Sequence, residues 1–336
     1  MHNQAIVRIG PLTNIPYVLQ LLGYDPEPIF SATGFKMVQF EDPDNWISFL
    51  AGSKLIAHCV EVTKCYHFGL LLGKHANPSH LGIAGFQLSS APDVGSALNN
   101  FIKHLDLHDK GGTATLTTTE NTTMFGYVIN EPNIKAAGQI YDLSIVLTCK
   151  IMRTLCGEKW NPNEVLLTHK NPDKLSPYEE FFRSPIHFSS QTNAIVFNKR
   201  WLDHRIPSAD PLLQRHLQHD ADELHIEKPV DFIYLLRQQL RYSLENQQVS
   251  VANIARQLGI HERTIHRRLK IYDTNFHHEL EQIRYSISRQ LLAETNNTNT
   301  NIAITLGYSN VSAFSRAFKK WSGESPAKWR KKFYNQ

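Results

Sequence analysis

The chain has 336 residues, room for two ordinary domains. Its 41% hydrophobic and 20% charged residues exclude a disordered chain, and no apolar run approaches the ~20 residues that cross a bilayer, so no membrane association is expected. The net charge of +4 is uneven: Val230–Gln336 holds 16 Lys and Arg against 8 Asp and Glu, and the rest of the chain 19 against 23, so a basic third with the footprint of a polyanion-binding module follows a mildly acidic body.

In chain order, Met1–Gly10 lacks the basic start and apolar core of a secretion leader. The cysteines (Cys59, Cys65, Cys149 and Cys156) form no Cys-x-x-Cys pair, and reduced structural thiols in a cytoplasmic protein are expected. Periodicity predicts helices over Leu12–Leu22, Asn45–Lys64, Val94–His108 and Lys135–Leu155. Strands are predicted over Thr113–Thr119, Thr123–Asn130, Glu164–His169 and Ala194–Phe197. The first two strands read as a hairpin around Glu120-Asn121, and Gly111-Gly112 as a turn leading into it. Together these predict an α+β domain with a small antiparallel sheet.

Several clusters in this region invite a chemical reading. His104 and His108 lie four apart beside Asp106 and Asp109, but no third metal ligand is evident, and they read as solvated polar residues at a helix end. Trp46, Phe49, Phe68, Phe86, Phe101 and Phe125 read first as core, with lining a ligand pocket as the alternative. No Gly-x-Ser-x-Gly elbow, phosphate-cradling loop or dinucleotide fingerprint occurs, so neither catalysis nor a cofactor is expected.

The domain boundary is placed in the polar stretch His219–Pro229, because the residue before a proline is pushed out of the helical region. The expected organisation is a first domain over 1–218, a linker over 219–229 and a second domain over 230–336. His216, His219, Asp220 and His225 read as part of an exposed polar linker, with a metal or pH-sensing role as the alternative.

Beyond Pro229 the pattern is almost wholly helical and carries a repeat. Ile254-Ala255-Arg256-Gln257-Leu258-Gly259 returns as Ile302-Ala303-Ile304-Thr305-Leu306-Gly307. Each copy is a short helix ended by a glycine and followed by a second helix, with Ile265 and Leu269, or Phe314 and Phe318, facing inward. This is a helix-turn-helix made twice. The outward faces carry Glu262, Arg263, His266, Arg267 and Lys270 in the first unit. Asn310, Ser312, Ser315, Arg316 and Lys319 occupy the second. Arg pairs with guanine, Asn with adenine, and Ser and Lys with base edges or phosphates, so both faces suit double-stranded DNA. Asn275–Thr295 reads as one connecting helix of ~31 Å, close to the ~34 Å turn of duplex. The Asn-rich stretch 296–301 breaks it and offers a cap for the next helix, and Ser325-Pro326 starts a last helix that Trp321, Trp329 and Phe333 seal onto the second unit.

Asn301–Arg330, with Leu306-Gly307-Tyr308-Ser309, Ser312-Ala313-Phe314-Ser315-Arg316-Ala317-Phe318-Lys319 and Ser325-Pro326, resembles the signature of the AraC/XylS family of bacterial transcription regulators. Ile254-Ala255, Leu258-Gly259, Arg263-Thr264-Ile265 and Arg267-Arg268-Leu269 extend the match to about 100 residues. Position 304 departs from it, with Ile where the family carries a polar residue, which reads as tuned packing. The resemblance implies promoter binding by both units and, usually, activation through RNA polymerase. Further back, His67-Phe68-Gly69-Leu70, Phe125-Gly126-Tyr127, Pro132 and the segment Tyr178–Asp210 are similar to the longer sensor domain of the ornithine-utilisation and VirS-type branch. That likeness implies a small-molecule effector and homodimers, to which the Lys135–Leu155 helix contributes unless it is core.

Overall fold

A computed structural model describes residues 5–131, 134–207, 209–210, 212–217, 220–221, 232–245, 249–258, 260–295 and 297–334. The chain divides into two compact units, residues 1–229 and 230–336. Most of the stretch His219–Pro229 lies outside the described residues, as do Pro132, Pro211, Gly259 and Asn296.

In the first unit, β1 (Ile6–Arg8) pairs antiparallel with β2 (Trp46–Ser48). Between them lie α1 (Ile15–Leu21) and α2 (Pro26–Ala32). The start of α2 is locally encoded: the Asp25 carboxylate accepts the Glu27 N–H at 3.1 Å, and Pro26 takes the first turn. Then follow α3 (Phe49–Thr63), α4 (Phe68–His75), α5 (Ile83–Ser90) and α6 (Val94–His104). The predicted hairpin is β3 (Gly112–Thr118) with β4 (Thr122–Ile129). After α7 (Ala137–Cys156) come β5 (Glu164–Leu166), α8 (Ser176–Phe182), β6 (Ile186–His187) and β7 (Ala194–Asn198).

The main sheet runs β3-β4-β7-β5-β6. It is not wholly antiparallel as expected: β6 pairs parallel with β5, because α8 lies between them in the chain and returns it in the same direction. The core is organised on α7, of whose residues only Thr154 is exposed. That burial removes α7 as a dimer surface and makes it the core element of the two alternatives. Against it packs α4 through Gly69 and Gly73, four apart on one face. A methyl group on Gly69 would fall 1.9 Å from the Gln139 carbonyl oxygen, and one on Gly73 2.6 Å from Val146.

Burial corrects three readings. His104, Asp106, His108 and Asp109 are buried, not solvated. The chain turns inward after α6 through a short 3-10 helix (Leu105–Leu107), bringing His108 and Asp109 alongside β1, where the His108 carbonyl accepts from the Arg8 N–H at 2.8 Å. Of the six aromatics, Phe49, Phe68, Phe101 and Phe125 are core, while Trp46 and Phe86 are exposed. Ile304 is 53% exposed, so it does not tune packing. The four cysteines carry no disulfide, and burial pushes Cys59 up to about 12 and Cys149 to about 11. Among the described residues no helix is long and apolar enough to cross a membrane.

The second unit is all helical: α9 (Phe232–Glu245), α10 (Val251–Gln257), α11 (Glu262–Ile271), α12 (Phe276–Glu294), α13 (Asn299–Thr305), α14 (Val311–Ser322) and α15 (Pro326–Tyr334). It has two apolar clusters. Leu236, Leu240, Ile254, Ile265 and Leu269 gather on Phe276, Leu280 and Ile283 of α12. Ile302, Leu306, Phe314 and Phe318 gather on Leu291 and Leu292 at its other end.

Candidate nucleic-acid interface

Each helix-turn-helix is fixed by local chemistry first. Ser250 caps α10 by accepting the Asn253 N–H at 3.1 Å, and His261 Nδ1 caps α11 by accepting from Arg263 N at 3.2 Å. Thr298, in the Asn-rich stretch, caps α13 as expected of that stretch, although Asn299–Asn301 already belong to the helix. Gly307, with φ +69°, takes the left-handed turn between α13 and α14 that a side chain would strain. Asn310 then caps α14, its carbonyl oxygen accepting from Ala313 N at 2.8 Å.

Tertiary contacts then brace both motifs against α12. The Arg237 guanidinium meets the buried Glu279 carboxylate at 2.8 Å, and Glu279 also accepts from the Thr274 hydroxyl at 2.8 Å. Arg284 donates to the Leu306 carbonyl at 2.9 Å and lies over the Tyr308 ring at 4.7 Å. The Phe318 and Trp329 rings meet edge to face at 5.8 Å, bringing α15 onto α14, and Trp321 packs on the same cluster; the Phe333 side chain lies outside the described residues.

With the cores so placed, Glu262, Arg263, His266, Arg267 and Lys270 are all exposed along α11. On α14 Ser312, Arg316 and Lys319 form an exposed stripe opposite Phe314 and Phe318, with Ser315 half-buried beside them. Asn310 is exposed at the tip, but its carbonyl is committed to the helix N-terminus. Three exposed residues beside these faces were not singled out from the sequence as DNA-contacting residues. His261 and Arg268 flank the first stripe, the latter lying over Phe232 at 5.2 Å, and Lys320 pairs with Glu281 at 3.4 Å. Continuing the basic runs Arg267-Arg268 and Lys319-Lys320 by one position would have found two of them.

Two family models match the chain. Residues 23–206, more than half of it, match the arabinose-binding domain of AraC transcription regulator, N-terminal, and residues 254–332 match a helix-turn-helix domain. The HTH-type transcriptional regulator VirS of Mycobacterium tuberculosis is 24% identical, over 97% of this chain and 96% of its own. The ornithine utilization regulator of Pseudomonas aeruginosa is 23% identical, over 92% and 91%. The crystal structure of the transcriptional regulator CdpR from Pseudomonas aeruginosa aligns over 93% of this chain and 97% of that one, with a TM-score of 0.44 and 21% identity. VirS and the ornithine utilization regulator are regulators and not enzymes. The chain belongs to the AraC family of transcription regulators, on the branch with the long N-terminal domain.

Proposed function

We propose that this regulator reads a specific promoter sequence with α11 and α14, under the control of a small molecule held in the first unit. The observation that carries the reading is the pair of exposed, polar faces on repeated scaffolds. Arg263, Arg267 and Arg316 have the fork that matches guanine, and Glu262 accepts from cytosine. His266, Lys270, Ser312, Ser315 and Lys319 supply further base or phosphate contacts, and Asn310 positions α14 through its cap. An architectural binder without sequence preference would gain nothing from Glu262, whose charge opposes phosphate unless a base answers it.

The effector half of the proposal is supported by a cavity of about 90 Å³ inside the first unit. The family model is described by arabinose and one relative is named for ornithine. Both are rich in polar groups, and the largely apolar wall described below offers few partners. Activation through RNA polymerase, homodimerisation and a cytoplasmic setting complete the reading as the family resemblance implies them.

The test is binding of the purified chain to the duplex upstream of its own and neighbouring genes, against random duplex at ~150 mM salt, with and without a metabolite extract. A site preference of ~10³ or more that shifts with extract is expected. Equal affinity for all duplexes overturns specific reading. A preference that the extract leaves unmoved overturns effector control.

A further inference from the structure

The cavity lies between α3 and α7, bounded by β4 and by the segment that leads from α6 to β3. Phe49, Ile56, Phe101, Leu143, Leu147 and Ile151 give it an apolar wall. Its hydroxyls are already used by their own helices. Ser53 donates to the Leu50 carbonyl at 2.7 Å, Ser144 to Ile140 at 2.8 Å and Thr148 to Ser144 at 2.9 Å.

The charged groups on the wall are engaged as well. Asp109 accepts from the N–H groups of Gly111 and Gly112 at 2.7 and 3.1 Å, and its other oxygen accepts from the Tyr127 hydroxyl. Arg8 is ion-paired with Asp44. An anionic ligand would meet the Asp109 carboxylate, and a cationic one the Arg8 guanidinium, neither with a counter-charge to spare.

His108 differs from these groups. It lines the cavity, is 5% exposed, and its Nδ1 has no hydrogen-bond partner. Burial, with smaller contributions from Arg8 and His80, holds the imidazole down to about 3, so it is uncharged. A buried nitrogen left unpaired is costly, and a ligand atom that pairs it recovers the cost.

We infer that the cavity binds an uncharged, mainly apolar small molecule with one hydroxyl, carbonyl or amide group, which pairs with His108 Nδ1. At about 90 Å³ the cavity is somewhat smaller than the ~150 Å³ that holds a benzene ring, which sets the ligand at the scale of a single small ring or short chain. The inference rests on the reading of the first unit as the effector-binding unit and names what it takes.

The full chain is titrated with cyclohexanol, methylcyclohexane and cyclohexanecarboxylate, with binding followed by ligand-observed NMR and melting temperature. Cyclohexanol is expected to saturate one site per chain, at least tenfold more tightly than the carboxylate. His108→Phe is expected to weaken cyclohexanol about tenfold and leave methylcyclohexane unchanged. Ser144→Leu fills the cavity from α7 and is expected to abolish both, so the inference stays testable if the first variant does not fold. No saturable binding to the wild type, tighter binding of the carboxylate, or full affinity in the filled variant overturns it. Promoter affinity is measured in the same samples. Cavity binding that leaves promoter affinity unmoved upholds the ligand class and overturns effector control. Control by extract without cyclohexanol binding overturns the ligand class alone.

Discussion

At the residue scale, the distinction between a reading side chain and a solvated one rests on specificity. Arg316 is exposed on α14 between Ser312 and Lys319. If it reads a base, Arg316→Ala costs ~1–3 kcal/mol on the promoter site and much less on random duplex. Equal losses on both duplexes, measured by titration at one salt concentration, would reassign it to phosphate. His108 supports a second prediction. Its folded value of about 3 lies below the ordinary 6.5, so the unfolded chain binds more protons between the two. The His108 contribution to stability is complete above about 6.5 and is lost as pH falls toward 3. Asp109, raised by burial to about 6 from 3.8, acts oppositely: its contribution is present below 3.8 and lost as pH rises through 6. The His108 window is the wider, so, from pH 7 to 5, the wild-type melting temperature is expected to fall relative to that of His108→Phe, which lacks the His108 contribution. Parallel pH profiles would show that His108 is not held uncharged. The burial of the two histidines was not legible in the sequence. His104 and His108 at a four-residue spacing look the same on a solvated helix end and in a core; only the packing of Gln87 on α5 against His104, with its Oε1 2.7 Å from Nδ1, and the inward turn that carries His108 decide.

At the scale of elements, legibility followed periodicity. In the second helix-turn-helix the inward positions Ile302, Leu306, Phe314 and Phe318 repeat at helical spacing, and all four are buried. α2, α4, α5 and α8 left no such signal. α4 and α5 are apolar on nearly every side because neighbours cover them on nearly every side, and the glycines that weaken α4 as a helix admit α7 at backbone distance. What reads locally as a poor helix is a good packing surface. The strand pair β1–β2 was equally silent, since each strand is three residues long and its partner lies some forty residues away. The same reasoning fixes the cost of damage. Phe318 is fully buried and meets Phe314, Tyr285 and Trp329, drawn from three helices. Phe318→Ala is expected to remove ~3–5 kcal/mol of stability from the second unit in urea unfolding. A near-unchanged midpoint would mean that the inward and outward faces of α14 are exchanged.

At the scale of the whole molecule, the span between the two motifs decides how DNA can be read. α12 carries both cores, the first on Phe276, Leu280 and Ile283, the second on Leu291 and Leu292. Its 19 residues make a rod of ~29 Å, near the ~34 Å pitch of duplex. The rod is braced at both ends, by Arg237 on Glu279 and by Arg284 on the Leu306 carbonyl, so it does not act as a flexible tether. Two modules joined in this way gain by binding together only while the DNA presents both half-sites at the matching distance. Inserting ~5 bp between the halves turns one of them to the opposite face of the duplex. The second module is then lost, and affinity is expected to fall roughly 10²- to 10⁴-fold. Inserting ~10 bp restores the face but adds a full ~34 Å turn, which a helix of fixed length cannot span. Affinity should therefore stay low for both insertions, whereas a flexible connection would recover with the second. Recovery at ~10 bp, read from gel-shift titrations of the three duplexes, would show that α12 yields and that its bracing contacts do not hold the two reading helices in register.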